Sequence, residues 1–472
     1  MARPTRPNEG ARLEVPPLAT ELGERFRMAG HELYLVGGVV RDLLLGQARE
    51  GAEIDLATDA QPRQTIKLLQ GWADSRKLIG VRFGTVGARK GDVHSEITTF
   101  REEVYPEDTR KPSVTFARDI HTDLSRRDFT INAMAVRLPE GEFLDPFGGV
   151  KALAAKRLDT PLDPEVAFSD DPLRMLRAAR FVSQLDLTPA PRVVDAIKRM
   201  RERLRIVSSE RISDELSKLL LSAKPSKGLE LVVNTGLAEE FLPELPALKL
   251  EQDPVHKHKD VFHHTLAVVE RCDPNDPRGL ELRLAALLHD IGKPRTRQVT
   301  PEGVQFHHHE VVGARMAEER LRALRFPNSV VESVRKLVEM HLRFHGYGEG
   351  WTDSAVRRYV RDAGPLLDQL NQLTRADVTT GNRFRAKQFQ ALQDDLEERI
   401  AHLAEEENLE AIRPPLDGNE VMAHLGIGPG PVVGKALEHL MELRLERGPI
   451  DKDEAYRLLD EWAEEEGIRG ER

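Results

Sequence analysis

The amino-acid sequence predicts an α/β domain at the N-terminal end of the chain and an all-α remainder. Strand signals alternate with helical patterns between residues 33 and 99, and from Val166 onward amphipathic helices dominate. Charged residues are 31% of the chain and aromatic residues 5%, which is typical of a helix-rich globular protein. We expect four domains: a head (17–150), a helical neck (151–245), a histidine-rich domain (250–385) and a helical C-terminal region (386–472).

Composition excludes several classes of protein. No apolar run approaches the ~20 residues of a membrane helix, and the N-terminal MARPTRPNEGARLEVPP lacks an apolar signal core. We therefore expect a cytoplasmic protein with no membrane partner. The single cysteine, Cys272, excludes an intramolecular disulfide framework and a Cys-rich zinc site, and we expect no disulfide-linked partner. The net charge of −10 means that an RNA partner must bind a local basic face.

The stretch from Leu33 to Thr58 begins with a short apolar run that reads as a buried strand. Gly37 and Gly38 follow, and a helical pattern then starts at Val39 and carries Arg41. A glycine pair between a strand and a helix lets backbone amides approach a phosphate closely, and an arginine adds a charge-assisted bond. This turn is therefore a candidate phosphate site, although a glycine turn alone is common.

A second strand follows with two carboxylates, Glu53 and Asp55. Because they are two residues apart, both face the same side of a strand. Two carboxylates aimed together repel each other unless a cation lies between them. A Mg²⁺ ion that also binds a substrate triphosphate suits this arrangement.

These residues resemble a known family. GGVVRD followed by EIDLAT is similar to the head motif of the class II tRNA nucleotidyltransferases and bacterial poly(A) polymerases, which have a polymerase-beta-like nucleotidyltransferase head. The resemblance implies that Glu53 and Asp55 are the catalytic, Mg²⁺-binding carboxylates. The family normally has Asp-x-Asp here, and the longer arm of Glu53 shifts the metal.

The segments after these carboxylates bear on which nucleotides are added. Two strands, IGVRFGTVGAR and HSEITTF, follow, and Glu96 is either a third metal ligand or an exposed strand residue, because period alone does not choose its face. Arg82-Phe83-Gly84-Thr85-Val86 is similar to CCA-adding members of the family. The charged segment 100–112 matches the flexible loop that those members need for the last A, and that CC-adding members shorten.

The string DLSRRDFTINAMA is a second signature. From its residue types alone it is an exposed cluster of ions. The resemblance implies that Arg126, Arg127 and Asp128 contact the ribose and phosphates of a nucleotide and that Asn132 supports the turn. Carboxylates accept from ribose hydroxyls and guanidinium groups bind triphosphates, so the residue types fit these roles.

A third signature, DDPLRMLRAARF, opens the neck. Asp171, Arg174, Arg177 and Arg180 recur every three residues and form one stripe, which in isolation is a solvated helix face. The resemblance implies that Asp171 and Arg174 pair with the Watson–Crick edge of incoming CTP or ATP and that the other two arginines contact the nucleotide.

The neck also contains the densest basic run of the chain. We expect it to bind the tRNA acceptor arm through phosphates, although a solvated helix is the simpler interpretation; its residues are Arg192, Lys198, Arg199, Arg201, Arg203, Arg205 and Arg211. The C-terminal region resembles the segment that touches tRNA farther from the acceptor end.

Ten of the sixteen histidines lie between His256 and His345, and His289-Asp290 ends an apolar helix where unpaired polar groups are costly. The series resembles the HD-domain phosphohydrolases, which bind one or two divalent metals. The resemblance implies the core ligands His264, His289, Asp290 and Asp377 and the second-metal ligands His309 and His341, with a metal of unknown identity. An HD domain that only binds tRNA is the alternative.

Together these features predict template-independent addition of CCA to tRNA from CTP and ATP, with a possible HD phosphohydrolase activity. An A-adding enzyme or a poly(A) polymerase is the alternative within the same class. An HD phosphohydrolase or RNA-binding protein with a weakened head is the alternative from another class.

Overall fold

The structure is a computed structural model that describes residues 10–47, 53–78, 80–81, 84–104, 113–117, 119–250, 260–301, 303–378, 383–407 and 412–468, without the side chains of 102–104, 113–115, 349, 383 and 406. It divides into two compact units, Met1–Pro246 and Ala247–Arg472. Among the helices of the described residues, none is both long and apolar enough to cross a membrane.

The strands of the first unit are short. In its described residues they are β1 (Leu33–Val36), β2 (Ile54–Thr58), β3 (Ser75–Lys77), β4 (Thr85–Lys90), β5 (Val93–Thr99), β6 (Arg101–Val104), β7 (Ser113–Phe116), β8 (Ala135–Leu138), β9 (Glu142–Leu144), β10 (Arg157–Leu158) and β11 (Thr188–Pro189). Seven of them form one sheet in the order β3-β4-β5-β2-β1-β8-β9.

The strand predicted at Leu33 is an interior strand of this sheet. All four residues of β1 are buried because the strand has neighbours on both sides, β2 and β8, and apolar side chains on both faces. One face packs in the main core with Phe26, and the other packs with Phe100 and Leu124. Strand β2 pairs with β5 in parallel, so that Asp55 lies directly beside Glu96.

Helices form most of the rest of the first unit. They are α1 (Pro17–Met28), α2 (Gly38–Leu44), α3 (Pro62–Leu68), α4 (Ile120–Ser125), α5 (Gly149–Ala154), α6 (Pro164–Asp170), α7 (Leu173–Leu185), α8 (Pro191–Met200), α9 (Ser209–Leu220) and α10 (Pro225–Asn234). Helix α7 begins where the third signature predicts, and the Asp171 carboxylate accepts from the Leu173 amide at its first turn. The predicted α/β head and helical neck are confirmed.

The second unit is mostly helical. Its helices are α11 (Val261–Arg271), α12 (Gly279–Leu288), α13 (Lys293–Thr296), α14 (His309–Ala323), α15 (Asn328–Met340), α16 (Asp353–Ala363), α17 (Leu367–Asp377), α18 (Arg383–Glu407), α19 (Gly418–Leu425), α20 (Pro431–Arg447) and α21 (Lys452–Glu465). The sequence analysis missed one antiparallel hairpin, β12 (Arg297–Thr300) with β13 (Gly303–Phe306). These strands are only four residues long, too short for a clear strand period.

Candidate active site and metal centre

A cleft of about 270 Å³ opens beside the sheet of the first unit. Eight of the residues predicted to bind substrate or metal line this cleft: Gly38, Asp55, Arg127, Asp128, Asn132, Asp171, Arg174 and Arg177. Gly37 and Arg211 complete the lining. The three sequence signatures, which lie far apart along the chain, therefore meet at one place.

The glycine pair lets two charged side chains come close to the backbone. Gly37 has a φ of 77°, and a Cβ atom there would lie 3.1 Å from Arg127 Nη1 and 3.5 Å from Asp55 Oδ2. Any other residue would have a strained backbone conformation here, and its Cβ atom would occupy the space beside these two groups. Because Gly37 has no side chain, the guanidinium group of Arg127 and the carboxylate of Asp55 can both lie at the edge of the cleft.

Two of the carboxylates predicted to bind metal, Asp55 and Glu96, lie on one face of the sheet, and Glu53 directly precedes β2. The register places Glu96 on the face of Asp55, which the sequence period could not decide, and Glu53 and Glu96 are exposed. Burial raises the pKa of Asp55, Arg127 lowers it, and the negative charges of Glu53 and Glu96 raise it further. These oxygen donors suit Mg²⁺. Among the described residues, however, groups of three or more possible ligands with their ligand atoms within 4.8 Å of one another occur only in the second unit.

A network of hydrogen bonds crosses the floor of the cleft. Arg177 donates to Asp128 Oδ2 through Nη2 at 2.5 Å and through Nε at 3.0 Å, and Asn132 donates to Oδ1 at 3.0 Å. Arg41 Nη1 donates to Asn132 Oδ1 at 2.9 Å. Burial alone would raise the pKa of Asp128, but Arg177 and Asn132 hold it well below its usual range. The network ties the α2 turn to α7.

Three predicted nucleotide contacts do not line the cleft. Arg41 is buried, with Nε bonded to Asp42 at 2.8 Å, and Arg126 donates to the buried Asp123. Arg180 pairs with the buried Glu215 and lies 4.1 Å above the ring of Phe181. The structure thus shows these arginines in contacts with the protein.

The pair predicted to read the base is held from both sides. Arg211 Nη2 donates to Asp171 Oδ2 at 2.8 Å. Arg174 is buried and donates through Nη2 to the Arg126 carbonyl at 2.7 Å and through Nη1 to the Ala167 carbonyl at 3.3 Å. These bonds orient the Asp171 acceptor and the Arg174 donor at the cleft.

The second unit brings all six predicted HD residues together. His264, His289 and Asp290 form one compact group of possible ligands, and Asp290, His309 and His341 form another. Asp290 Oδ2 lies 3.2 Å from His289 Nε2, whereas Oδ1 lies 3.4 Å from His309 Nε2. Asp290 thus belongs to both groups, one oxygen toward each.

Asp377 extends the first of these groups. Its Oδ1 atom lies 2.8 Å from His264 Nε2 and 3.5 Å from His289 Nε2. Burial alone would lower the pKa of His289, but Asp290 and Asp377 raise it to about 10. The two carboxylates therefore create a potential that favours a cation at the histidine ring.

The histidine rings are oriented by the backbone. His289, His309 and His341 each place Nδ1 at 2.6–2.8 Å from the carbonyl three residues earlier, which leaves each Nε2 as the possible ligand atom. In the described part of the chain, the buried Nε2 atoms of His309 and His341 have no hydrogen-bond partner. Buried polar atoms rarely lack a hydrogen-bond partner. Imidazole nitrogens together with carboxylates are ligands that suit a divalent transition metal.

Comparison with known proteins identifies the family of the chain. Three family descriptions match the chain: "Poly A polymerase head domain" (33–159), "Probable RNA and SrmB- binding site of polymerase A" (186–248) and "HD domain" (261–406). The chain is 30% identical over 443 residues to a CCA-adding enzyme of Anoxybacillus flavithermus, covering 93% of this chain and 94% of that one. The chain belongs to the class II tRNA nucleotidyltransferase family.

Other relatives of this nucleotidyltransferase differ in name. An A-adding tRNA nucleotidyltransferase of Deinococcus radiodurans is 34% identical (91% of this chain, 95% of that one). A CC-adding tRNA nucleotidyltransferase of Thermus thermophilus is 32% identical (91% and 94%). The solved CCA-adding enzyme of Bacillus stearothermophilus in complex with CTP matches with a TM-score of 0.70 and 27% identity (96% and 99%). The predicted polymerase-type head and HD domain are confirmed.

The basic run in the neck of this nucleotidyltransferase is largely ion-paired. Arg192 pairs with Asp159 at 2.7 Å, Arg199 with Glu165 at 2.5 Å and Arg205 with Glu240 at 2.6 Å. Such surface pairs are weak, on the order of 0–1 kcal/mol. A phosphate group of RNA can replace the acidic partner of such an arginine. The ion pairs therefore do not exclude an RNA surface here, which stays a prediction.

Sequence reasoning missed the roles of three residues of the two sites: Asp123, Arg211 and Lys293. Asp123 precedes Arg126 and Arg127 by three and four residues, which is the spacing of neighbours on a helix face. Lys293 follows Asp290 by three residues and donates to its Oδ2 at 2.7 Å. Arg211 was assigned to the tRNA surface, and nothing in the sequence signals its pairing with Asp171, forty residues away.

Proposed function

We propose that this protein builds or repairs the 3′-CCA end of tRNA by adding nucleotides from CTP and ATP without a nucleic-acid template. The observation that carries the proposal is the cleft of the first unit. It combines a carboxylate on the sheet, Asp55, two guanidinium groups, Arg127 and Arg177, and a hydrogen-bonding pair, Asp171 and Arg174. Similarity to tRNA nucleotidyltransferases over nine-tenths of the chain supports it.

The residues of the cleft and their neighbours have separate roles in binding the nucleotide. Arg127 and the amides at Gly38 bind the triphosphate, and Arg126, Arg41 and Asn132 support them. Asp171 and Arg174 offer an acceptor and a donor to the base, in place of a pairing base.

The carboxylates serve the reaction itself. Glu53 and Asp55, with Glu96 beside them, would hold a divalent cation, which supplies activation of the 3′-hydroxyl and stabilisation of the leaving pyrophosphate. Asp128 holds the guanidinium of Arg177 at the cleft wall through two hydrogen bonds. The closed network around Asp128 keeps these groups in place before substrate arrives.

The charged segment 100–112 bears on whether the last A is added. The chain retains this segment, which disfavours a CC-only enzyme. Its described part, residues 100–104, includes β6, which pairs with β7 directly after the segment, whereas residues 105–112, like Arg82 and Phe83, lie outside the described residues. Addition of A alone is the second candidate, favoured by the relative from Deinococcus radiodurans.

Three tRNA transcripts test the proposal: one ending at the discriminator base, one at C and one at CC. Each is incubated with Mg²⁺ and labelled CTP, ATP or both, and the products are sized on a gel. Growth of all three to CCA supports the proposal. Extension of the CC-ending transcript alone shows an A-adding enzyme, a long A ladder shows a poly(A) polymerase, and no extension overturns the assignment of the head.

The HD site supports a second activity, metal-dependent hydrolysis of phosphoesters. The two unpartnered histidine nitrogens and the two groups that share Asp290 favour it. His264, His289, Asp290 and Asp377 would hold one metal, and His309 and His341 with Asp290 a second, which would supply an activated water. Loading the protein with Mg²⁺, Mn²⁺, Co²⁺ or Ni²⁺ and assaying a phosphodiester tests this. If none of these metals supports turnover, the proposed hydrolysis by the HD domain is wrong.

A further inference from the structure

Asp123 is a fully buried carboxylate within α4, and it does not line the cleft. It accepts from two neighbouring guanidinium groups. Arg126 donates to Oδ1 through Nη2 at 2.5 Å and through Nε at 3.1 Å, and Arg127 Nη2 donates to Oδ2 at 3.1 Å. One negative charge therefore holds two positive charges side by side and leaves one positive charge in excess.

The excess charge faces the substrate side. Arg127 lines the cleft, and its Nη1 atom lies 3.1 Å from the position of a Cβ on Gly37. The buried Nε atom of Arg127 has no hydrogen-bond partner among the described residues. Asp123 is thus the buried group that fixes where this guanidinium points, next to Asp55.

The same carboxylate also acts on the base-reading side of the cleft. Arg126 closes the last turn of α4, and its carbonyl accepts from Arg174 Nη2 at 2.7 Å. The bonds from Asp123 to the Arg126 side chain hold this turn in place. A shift of the turn would therefore move a phosphate-binding group and a base-reading group together.

We propose that Asp123 is a positioning residue for the incoming nucleoside triphosphate, one that sets the place of Arg127 for the phosphates and of Arg174 for the base. This inference rests on the proposed transfer of nucleotides to tRNA. It goes beyond that transfer because it assigns binding and selection of the nucleotide to a group that cannot touch it.

The first test replaces Asp123 by asparagine, which keeps the shape and removes the charge. We expect the KM for ATP and CTP to rise about tenfold or more, with a smaller fall in kcat, because charge-assisted bonds that fix the guanidinium are weakened. Misincorporation of UTP and GTP should rise as well. The matched control is Asp119→Ala, which removes the exposed cap of the same helix, a bond to the Thr122 amide at 2.9 Å, and leaves the arginine bonds intact.

The outcomes separate the inference from its basis. If the wild-type protein extends tRNA and Asp123→Asn keeps a KM within about twofold of it, the inference is overturned and the transferase stands. An equal rise in KM for Asp119→Ala would assign the effect to loss of the helix and would also overturn it. No extension by the wild-type protein would overturn the proposed function itself.

A second pair of variants covers the case in which Asp123→Asn does not fold. Arg126→Gln is compared with the double variant Arg126→Gln/Asp123→Asn, which removes one charge of each sign and avoids an excess buried charge. A further rise in KM in the double variant, about fivefold or more for the lost bond to Arg127, supports the inference. Equal KM values in the two variants refute it.

Discussion

The ion pair between Asp128 and Arg177 should stabilise the first unit and not merely shape its cleft. Asp128 is buried, and two hydrogen bonds from Arg177 end on one of its oxygens. We expect Asp128→Asn and Arg177→Met to destabilise the protein strongly as single variants. The double variant should cost less than their sum, because it leaves no unpaired charge.

The size of the coupling follows from burial. Two unit charges about 4 Å apart interact by about 4 kcal/mol at an effective dielectric constant of about 20. The Asp128 side chain is 9% exposed, but that of Arg177 is 33% exposed, so solvent screens the pair. A coupling free energy of about 2 kcal/mol is expected at neutral pH.

The coupling should also depend on pH. Because the folded pKa of Asp128 is lowered, its stabilisation is complete above the unfolded value of about 4 and is lost as the pH falls below it toward the folded pKa. The pair should therefore contribute little in strong acid.

Hydrogen exchange measured by mass spectrometry localises the effect. Exchange of the amides of α7 reports opening of the first unit, which avoids treating a chain of two units as one transition. The control cycle uses Asp214 and Lys218, an exposed pair 2.7 Å apart on α9, which should show no measurable coupling. A coupling below about 0.5 kcal/mol for Asp128 and Arg177 would refute the reasoning, since contacting buried partners typically couple by more.

Three further predictions concern the two sites. Glu53→Asp should raise kcat for nucleotide addition, by up to about 10²-fold because a small metal displacement is costly, whereas Glu53→Gln should abolish addition; a lower rate for the aspartate variant would contradict this. His289→Ala should lower the divalent metal content measured by elemental analysis and leave nucleotide addition within about twofold; loss of both would contradict two separate sites. Arg211→Ala should raise the KM for CTP and ATP about tenfold because Asp171 loses a charged donor, whereas the control Arg199→Ala should not.

Local patterns predicted the elements that carry the site, because each depends on neighbouring residues. The buried strand at Leu33, the glycine turn and the helix after Asp171 follow from apolar runs, backbone freedom and helix caps. The face of Glu96 could not be predicted, because it depends on the parallel pairing of two strands forty residues apart.

Long-range partners explain what sequence reasoning could not assign. In the sequence, nothing distinguishes Arg180 and Arg211 from the other arginines near the cleft. Their partners, Glu215 and Asp171, lie 35 and 40 residues away along the chain. Charge spacing shows that a helix face is basic, but only the packing of α7 against α9 decides which arginine is held by the protein and which faces the cleft.

The backbone tethers of His289, His309 and His341 bear on how the centre gains and loses an ion. Each tether closes within three residues, so ring direction and tautomer do not depend on an occupant. Chelation should therefore be fully reversible, with reconstitution limited by how fast the arriving ion sheds its hydration water and not by reordering of the polypeptide.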